Sequence, residues 1–435
     1  MAYAEHTEDG FVGRFEEGTG WFCYPTKRFK TVTLQAFWIN DLTAEHAAEG
    51  ALLPHVLRRG TQRWPSLMAI EQKLEDLYGA SFRADVGKVA DKQLLSMHLE
   101  VVHGQYLPGN PDTVQQALDF LREASQNPRL GPHGFDAEVV AQEKILLERQ
   151  IQSLVNDKSQ YAMSRLIEIM ADGRPFGLRK LGTIPDVERI TSESLFNYYQ
   201  TLRRNSPTMI LVVGDVDPQR IEQYVQESNS GPRPGISAIT LFEPHHVEQE
   251  VIEQQPIRQG KVNLGYGTGM AAGSPQYPAL MMYAGVLGGF PHSKLFVNVR
   301  EKHSLAYYAY ARLDAALGLM VIGAGIEFSH YQAVRQIVNE QLEAMAAGQI
   351  SEQEMAFTLK AFYNDILSEE DTPGQLIGRQ LERVLMGGGL NGRQLMDALG
   401  RVSIQDIQHV SEHIALDTAY FLTAINPEEA RHGKS

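Results

Sequence analysis

Cysteine is nearly absent from this chain: Cys23 stands alone among 435 residues. That excludes a disulfide framework and any cysteine-based zinc site. A basic excess is missing as well. The 39 Lys and Arg are outnumbered by 53 Asp and Glu, a net charge of −14, which argues against nucleic acid or an anionic membrane surface as a partner. The same charge suggests a surface not tuned for strongly acidic substrates. Long apolar runs are lacking too. The most apolar tracts, Ala279–Phe290 and Ala315–Ile326, are well short of the ~20 residues that span a bilayer. The opening segment, MAYAEHTEDGF, has no basic region followed by an apolar one, so a secretory signal is not expected. A cytoplasmic globular protein is the expectation, and at roughly 150 residues per domain its length suggests two or three domains.

Strand and helix signals recur in the same order twice. Thr31–Asn40 alternates in the manner of a strand, and Ser66–Tyr78 carries Leu67, Ile70, Leu74 and Leu77 on one helical face. Strand patterns at Ser81–Lys88 and Gln93–Val102 precede helices at Thr113–Ser125, Asp136–Val155, Met163–Met170 and Ser192–Arg203. Met209–Val213 then reads as a buried strand. A turn-rich stretch, Asn229–Gly235, leads into the charged and irregular Phe242–Gln254, which reads as a linker. Beyond it come a strand at Lys261–Gly269, helices at Ala279–Leu287 and Lys294–Glu301, and strands at Ala306–Leu313 and Leu319–Glu327. Four helices and a last strand at Tyr420–Ile425 complete the chain. Ala51–His55 falls against Ala279–Tyr283 at an offset of 228 residues. The repeated order predicts an α+β fold of two duplicated α/β-sandwich domains, mostly antiparallel sheet packed with helices. The expected division is 1–228, a linker at 229–254, and 255–435.

Three features that imitate functional motifs carry little. Val212-Val213-Gly214-Asp215 ends a strand without a phosphate-binding glycine pattern. His245-His246 reads as solvated loop, and Gly387-Gly388-Gly389 as a turn after a helix.

Ala51-Leu52-Leu53-Pro54-His55-Val56-Leu57-Arg58-Arg59-Gly60-Thr61 carries more information. Here the chain resembles the insulinase/pitrilysin (M16) metallopeptidase family, in its two-domain processing-peptidase-like branch. Active members of that family carry His-x-x-Glu-His on a helix, followed by an apolar run and Gly-Thr. Two histidines at i and i+4 face one way and hold Zn²⁺, with the glutamate beside the bound water as general base. In this chain the first His position is Ala51, the Glu position is Pro54, and only the last His remains, as His55. His46 is no substitute, because nine residues of helix turn it to the face opposite His55. The family also has two glutamates seven apart on a long helix, the second of them a zinc ligand. These fall on Glu143 and Gln150, and an amide is a far weaker ligand than a carboxylate.

The second half matches the family where the first does not. Leu295–Tyr307 resembles its Arg-x6-Tyr segment through Arg300 and Tyr307, and Gly288-Gly289-Phe290 resembles its glycine-containing turn. The resemblance implies that Arg300 and Tyr307 serve the substrate carbonyl and its oxyanion, and that Gly288 and Gly289 line the substrate. A guanidinium and a phenol suit that task as fixed donors. It also implies a clamshell arrangement and a subunit type that lacks the zinc motif. Such a bacterial subunit holds no cofactor of its own and is inactive alone. It pairs with a zinc-bearing paralogue to hydrolyse peptides. An alternative keeps the fold as a non-catalytic peptide-binding or scaffolding protein. Self-association of the isolated chain, the peptide substrate and the partner's identity are left open by the sequence.

Overall fold

The structure, a computed structural model, describes residues 3–6, 10–228, 231–245 and 247–425. The chain forms two compact units. The first comprises Met1–Ser153, Leu178–Ala238 and Glu370–Gly388, and the second Leu154–Gly177, Ile239–Glu369 and Gly389–Ser435.

The first unit is built on strands β1 (Tyr3–His6), β2 (Val12–Glu16), β3 (Thr19–Pro25), β4 (Thr31–Asp41), β5 (Ser81–Val89) and β6 (Lys92–Val102). A short pair, β7 (Leu130–Gly131) and β8 (Gly134–Phe135), stands apart, and β9 (Thr208–Gly214) completes the main sheet. That sheet runs β1-β2-β3-β9-β4-β6-β5, antiparallel throughout except for the parallel β3–β9 pair. Its core face carries Leu34, Leu95, Leu99 and Val212, which pack with helix residues such as Leu52, Leu118 and Leu195. The helix Pro373–Leu385, encoded far along the chain, packs on β9 and β4. Arg28 holds the residues just before that helix, Asp371 at 2.5 Å and Glu370 at 3.5 Å.

The second unit contains β10 (Gln249–Gln255), β11 (Gly260–Gly267), β12 (Ala306–Asp314), β13 (Leu319–Ile326) and β14 (Ala415–Ala424), in the order β10-β14-β11-β13-β12. Only β10–β14 is parallel. One face of this sheet packs with helices through Val262, Leu264, Ile322, Ala324 and Phe421. The helix Lys158–Ala171, encoded in the first half of the chain, packs on β11 and β14. A Cβ added at Gly265 would stand 2.2 Å from the Met170 sulfur of that helix. Its side chains Tyr161 and Arg165 bond to Glu253 of β10, which also accepts from Tyr420 of β14 at 3.0 Å.

Two expectations need correction here. Phe242–Gln254 is not wholly irregular, because it contains most of β10. The alternation of Glu, Val, Ile and Gln there is a half-exposed strand whose polar side chains hide its pattern. His245 is not a solvated loop residue either. Its Nδ1 and its backbone N–H both contact one carboxylate oxygen of fully buried Asp417, at 2.8 and 2.7 Å. His246 lies outside the described residues.

Candidate functional site: a metal locus without ligands and an exposed arginine–tyrosine pair

The helix Ala47–Leu57 is buried along nearly its whole length against β5 and β6. Its sequence accounts for that burial, since Ala47, Ala48, Gly50, Ala51 and the leucines leave no polar stripe. Gly50 is required by close approach: a Cβ there would lie 2.0 Å from the Gln93 amide oxygen. Buried Gln93 donates to the Ala47 carbonyl at 2.9 Å and to that of Lys180 at 2.7 Å, anchoring the helix start. Ala51 is fully buried. Pro54 sits inside the helix, which continues through it to Leu57 although no N–H is available to close that turn. His55 is partly exposed. His46 precedes the helix, half exposed and 3.6 Å from Glu49.

Following the helix, the Gly-Thr segment is a clasp. The Thr61 N–H donates to the Trp64 carbonyl at 2.8 Å, and the Trp64 N–H donates to the Thr61 hydroxyl at 2.9 Å. Trp64 in turn stacks on Phe120 at 5.1 Å.

The long helix Ala137–Leu154 turns Val140, Glu143, Leu147 and Ile151 inward. Gln150 falls off that stripe and is exposed. Glu143 is buried and bonded to Arg59 at 2.8 Å, and the other terminal nitrogen of the same guanidinium bonds Gln142. Arg59 therefore provides a fixed cation for the one retained glutamate, a pairing that sequence reasoning missed. The sequence placed Glu143 on the long helix, but no local spacing connects it to a residue 84 positions upstream.

A zinc ion would need side-chain donors at these positions. A methyl group, a proline and an exposed amide offer no ligand set, and one imidazole is not enough. Among the described residues, no three His, Cys, Asp or Glu side chains come together to hold a metal. The chain's donor set does not fit the zinc of the family.

A cavity of about 570 Å3 opens beside the start of the same helix, lined by His46, Glu49, Lys92 and Tyr198 among others. Burial, with Glu49 adding to it, holds the Tyr198 phenol well above its ordinary value. Buried Lys92 is occupied by Asp41 at 2.8 Å, Asp91 at 3.0 Å and Ser237 at 2.7 Å.

In the second unit the helix Tyr277–Ala284 passes into a π-helical turn, Gly285–Gly289, and a second π-helical segment covers Phe296–Lys302. Ordinary helix was expected at both places. Such wide turns are rare and are frequently found at functional sites. Gly288 is buried against β12, where an added Cβ would meet the Ala311 backbone nitrogen at 2.4 Å. Gly289 is exposed, and its nearest neighbour for a Cβ is the Ala284 carbonyl at 3.4 Å. The structure thus gives Gly288 a packing role.

Arg300 is exposed on the second π-helical segment, its guanidinium 4.7 Å from the centre of the Phe296 ring. The segment ends in a tight turn. The Leu305 N–H donates to the Val299 carbonyl at 3.0 Å, and Ser304 takes a φ of +52°, which costs a non-glycine residue about 1 kcal/mol. β12 begins at once with a bulge: Ala306 pairs with Ile326 and Tyr308 with Gly325, leaving Tyr307 without a partner. Bulges re-aim side chains next to active sites. Tyr307 is 63% exposed, unusual for a tyrosine at the start of a strand. Two local irregularities therefore present Arg300 and Tyr307 to solvent.

Comparison with known proteins gives a consistent picture. A family model described as "Peptidase M16 inactive domain" matches residues 189–362. A Bacillus subtilis protein described as "Probable inactive metalloprotease YmfF" is 35% identical over 402 residues, covering 91% of this chain and 94% of that one. A second, described as "Uncharacterized zinc protease YmxG" from the same organism, is 21% identical over 296 residues, 67% of this chain and 72% of that one. Among solved structures, a conserved protein from Enterococcus faecalis V583 superposes with a TM-score of 0.87 at 29% identity, covering 94% of this chain and 96% of that one. The M16 inactive domain protein from Pseudomonas fluorescens gives 0.78 at 15% identity over 98% of both chains. The α/β architecture and these similarities lead to one conclusion: this chain belongs to the M16 peptidase family.

Proposed function

We propose that this chain is the catalytically incomplete subunit of a peptide-hydrolysing pair, completed by a zinc-bearing M16 paralogue. The observation that carries the reading is a contrast between the two halves. The metal locus has no ligands left, yet Arg300 and Tyr307 are held exposed by a π-helical segment and a strand bulge, features that a purely structural residue does not need. Peptide hydrolysis builds negative charge on the carbonyl oxygen, and donors aimed at it can contribute several kcal/mol, roughly 3 per donor. Arg300 orients the substrate carbonyl and Tyr307 donates its O–H as charge develops. The metal and the general base belong to the paralogue. Gly289, open on its exposed side, borders the bound peptide, and Gly288 sets the approach of that turn to β12. The reading locates the pair in the cytoplasm, in keeping with a lone free cysteine.

The test is reconstitution with quenched peptides. Activity that appears only on mixing, and that falls by about 100-fold or more with Arg300→Ala, supports the reading. Peptide binding without any gain in hydrolysis on mixing favours the non-catalytic scaffold instead.

A further inference from the structure

One face of the second sheet is split into two halves. Over β11 and β14 it is covered by the helix Lys158–Ala171. Along the edge strand β12 and its neighbour β13 it carries a different surface. β12 turns Ala309 and Ala311 toward the helical core, so Tyr308, Tyr310 and Arg312 project from the opposite face.

Beneath them β13 supplies glycine. Tyr308 is in register with Gly325 and Tyr310 with Gly323. A Cβ on Gly325 would lie 2.4 Å from the Tyr308 ring, and one on Gly323 2.4 Å from the Tyr310 ring. Both rings therefore lie flat on a glycine floor, their centres 6.0 Å apart and their planes 17° from parallel. A cation stands at each end of this stack. Lys261 Nζ is 5.2 Å from the centre of Tyr308, and the Arg312 guanidinium is 4.8 Å from that of Tyr310.

These cations are unusual in a chain of net charge −14. Elsewhere in the same unit, Arg165 pairs with Glu168 and Glu253, and Arg335 with Glu248 and Glu250. Lys261 bonds only the neutral amide of Gln259. Among the described residues, neither it nor Arg312 nor Arg300 has a carboxylate partner. Burial, reinforced by Tyr308, raises the Tyr310 phenol despite Arg312, which keeps that ring neutral beside its cation.

We infer that the Lys261–Tyr308–Tyr310–Arg312 strip is a specificity surface for acidic peptide segments, continuous along β12 with Tyr307. This rests on the peptide-handling reading above. Acidic side chains of the occupant pair with exposed Arg312, buried Lys261 adds its positive charge at the other end of the stack, and apolar side chains of the occupant lie against the two rings. Charge complementarity carries the assignment. The overall acidity of the chain would repel such a segment, so the attraction is local to this strip.

The experiment is fluorescence anisotropy of the full chain with acidic, neutral and basic versions of one labelled peptide, at low and high salt. The acidic peptide is expected to bind about tenfold tighter than the basic one, because the first gains and the second loses at exposed Arg312 and beside buried Lys261, with the difference shrinking as salt rises. Arg312→Gln, at an exposed position, and Lys261→Gln should each reduce the preference, with circular dichroism confirming the fold. Equal binding of all three peptides, or a preference that survives both substitutions, overturns the charge assignment while leaving a peptide-binding subunit. Binding of none of them overturns both.

Discussion

Replacing Arg59 with alanine removes the one cation bonded to Glu143 among the described residues and leaves a carboxylate that is 7% exposed without that partner. Charges about 4 Å apart attract by about 4 kcal/mol at an effective dielectric of 20. Breaking a buried pair from one side costs roughly 3–5 kcal/mol. Arg59 is itself 28% exposed, so water reaches the gap and the expected loss lies lower, at about 2–3 kcal/mol. Tryptophan fluorescence in urea is a suitable assay, because Trp21, Trp38 and Trp64 all belong to the first unit. The double variant Arg59→Met with Glu143→Leu removes both charges and should recover to within about 1 kcal/mol of the parent chain. If each single substitution costs less than about 0.5 kcal/mol, or the double variant shows no coupling, Arg59 is not the fixed counter-charge of this locus.

Other consequences can be measured separately. Gly288→Ala forces a methyl group against the Ala311 backbone and should destabilise the second unit by about 1–3 kcal/mol, whereas Gly289→Ala should be near neutral in thermal unfolding. The Glu253 carboxyl is raised by burial but lowered more by bonds from Tyr161, Gln255, Tyr420 and Arg165, so its net displacement is downward. Its contribution is therefore present above the unfolded carboxylate value of about 4.3 and is lost as pH falls through the depressed folded value. The protection of β10 and β14 amides, taken relative to the intrinsic exchange rate at each pH, should fall in that acid window, and Glu253→Gln should flatten the dependence. Burial, with Asp217 adding to it, pushes the Cys23 thiol up to about 12. Thiol reagents should modify Cys23 only as fast as the first unit opens, and rapid modification of the native chain would contradict its burial.

Much of this architecture was legible because its elements carry strong periodicity. The alternation of Thr31–Asn40 and the stripe of Leu67, Ile70, Leu74 and Leu77 both became elements within a residue or two of their expected bounds, with Leu67 at the helix start left exposed and the other three buried. The early strands β2 and β3 were harder to read, since glycine and aromatic residues such as Gly13, Gly20 and Trp21 blur the alternation. The exchanged helices could be recognised as helices but not assigned to a sheet. Lys158–Ala171 and Pro373–Leu385 are ordinary amphipathic segments, and only tertiary packing sets each on the sheet encoded by the other half. At the site, that Ala51, Pro54 and Gln150 offer no imidazole, carboxylate or thiolate could be read from residue types alone. The π-helical winding under Arg300, which packs on β12, and the bulge at Tyr307 in the β12–β13 pairing could not, because both are set by tertiary contacts.

The most direct test of the central claim is hydrolysis of a quenched peptide library by this chain, by its zinc-bearing paralogue, and by the two together, with Arg300→Ala and Tyr307→Phe compared in the mixture. The account predicts activity in the mixture alone and a marked loss with either substitution. Full activity of the paralogue by itself, unchanged on mixing and indifferent to Arg300, would contradict it.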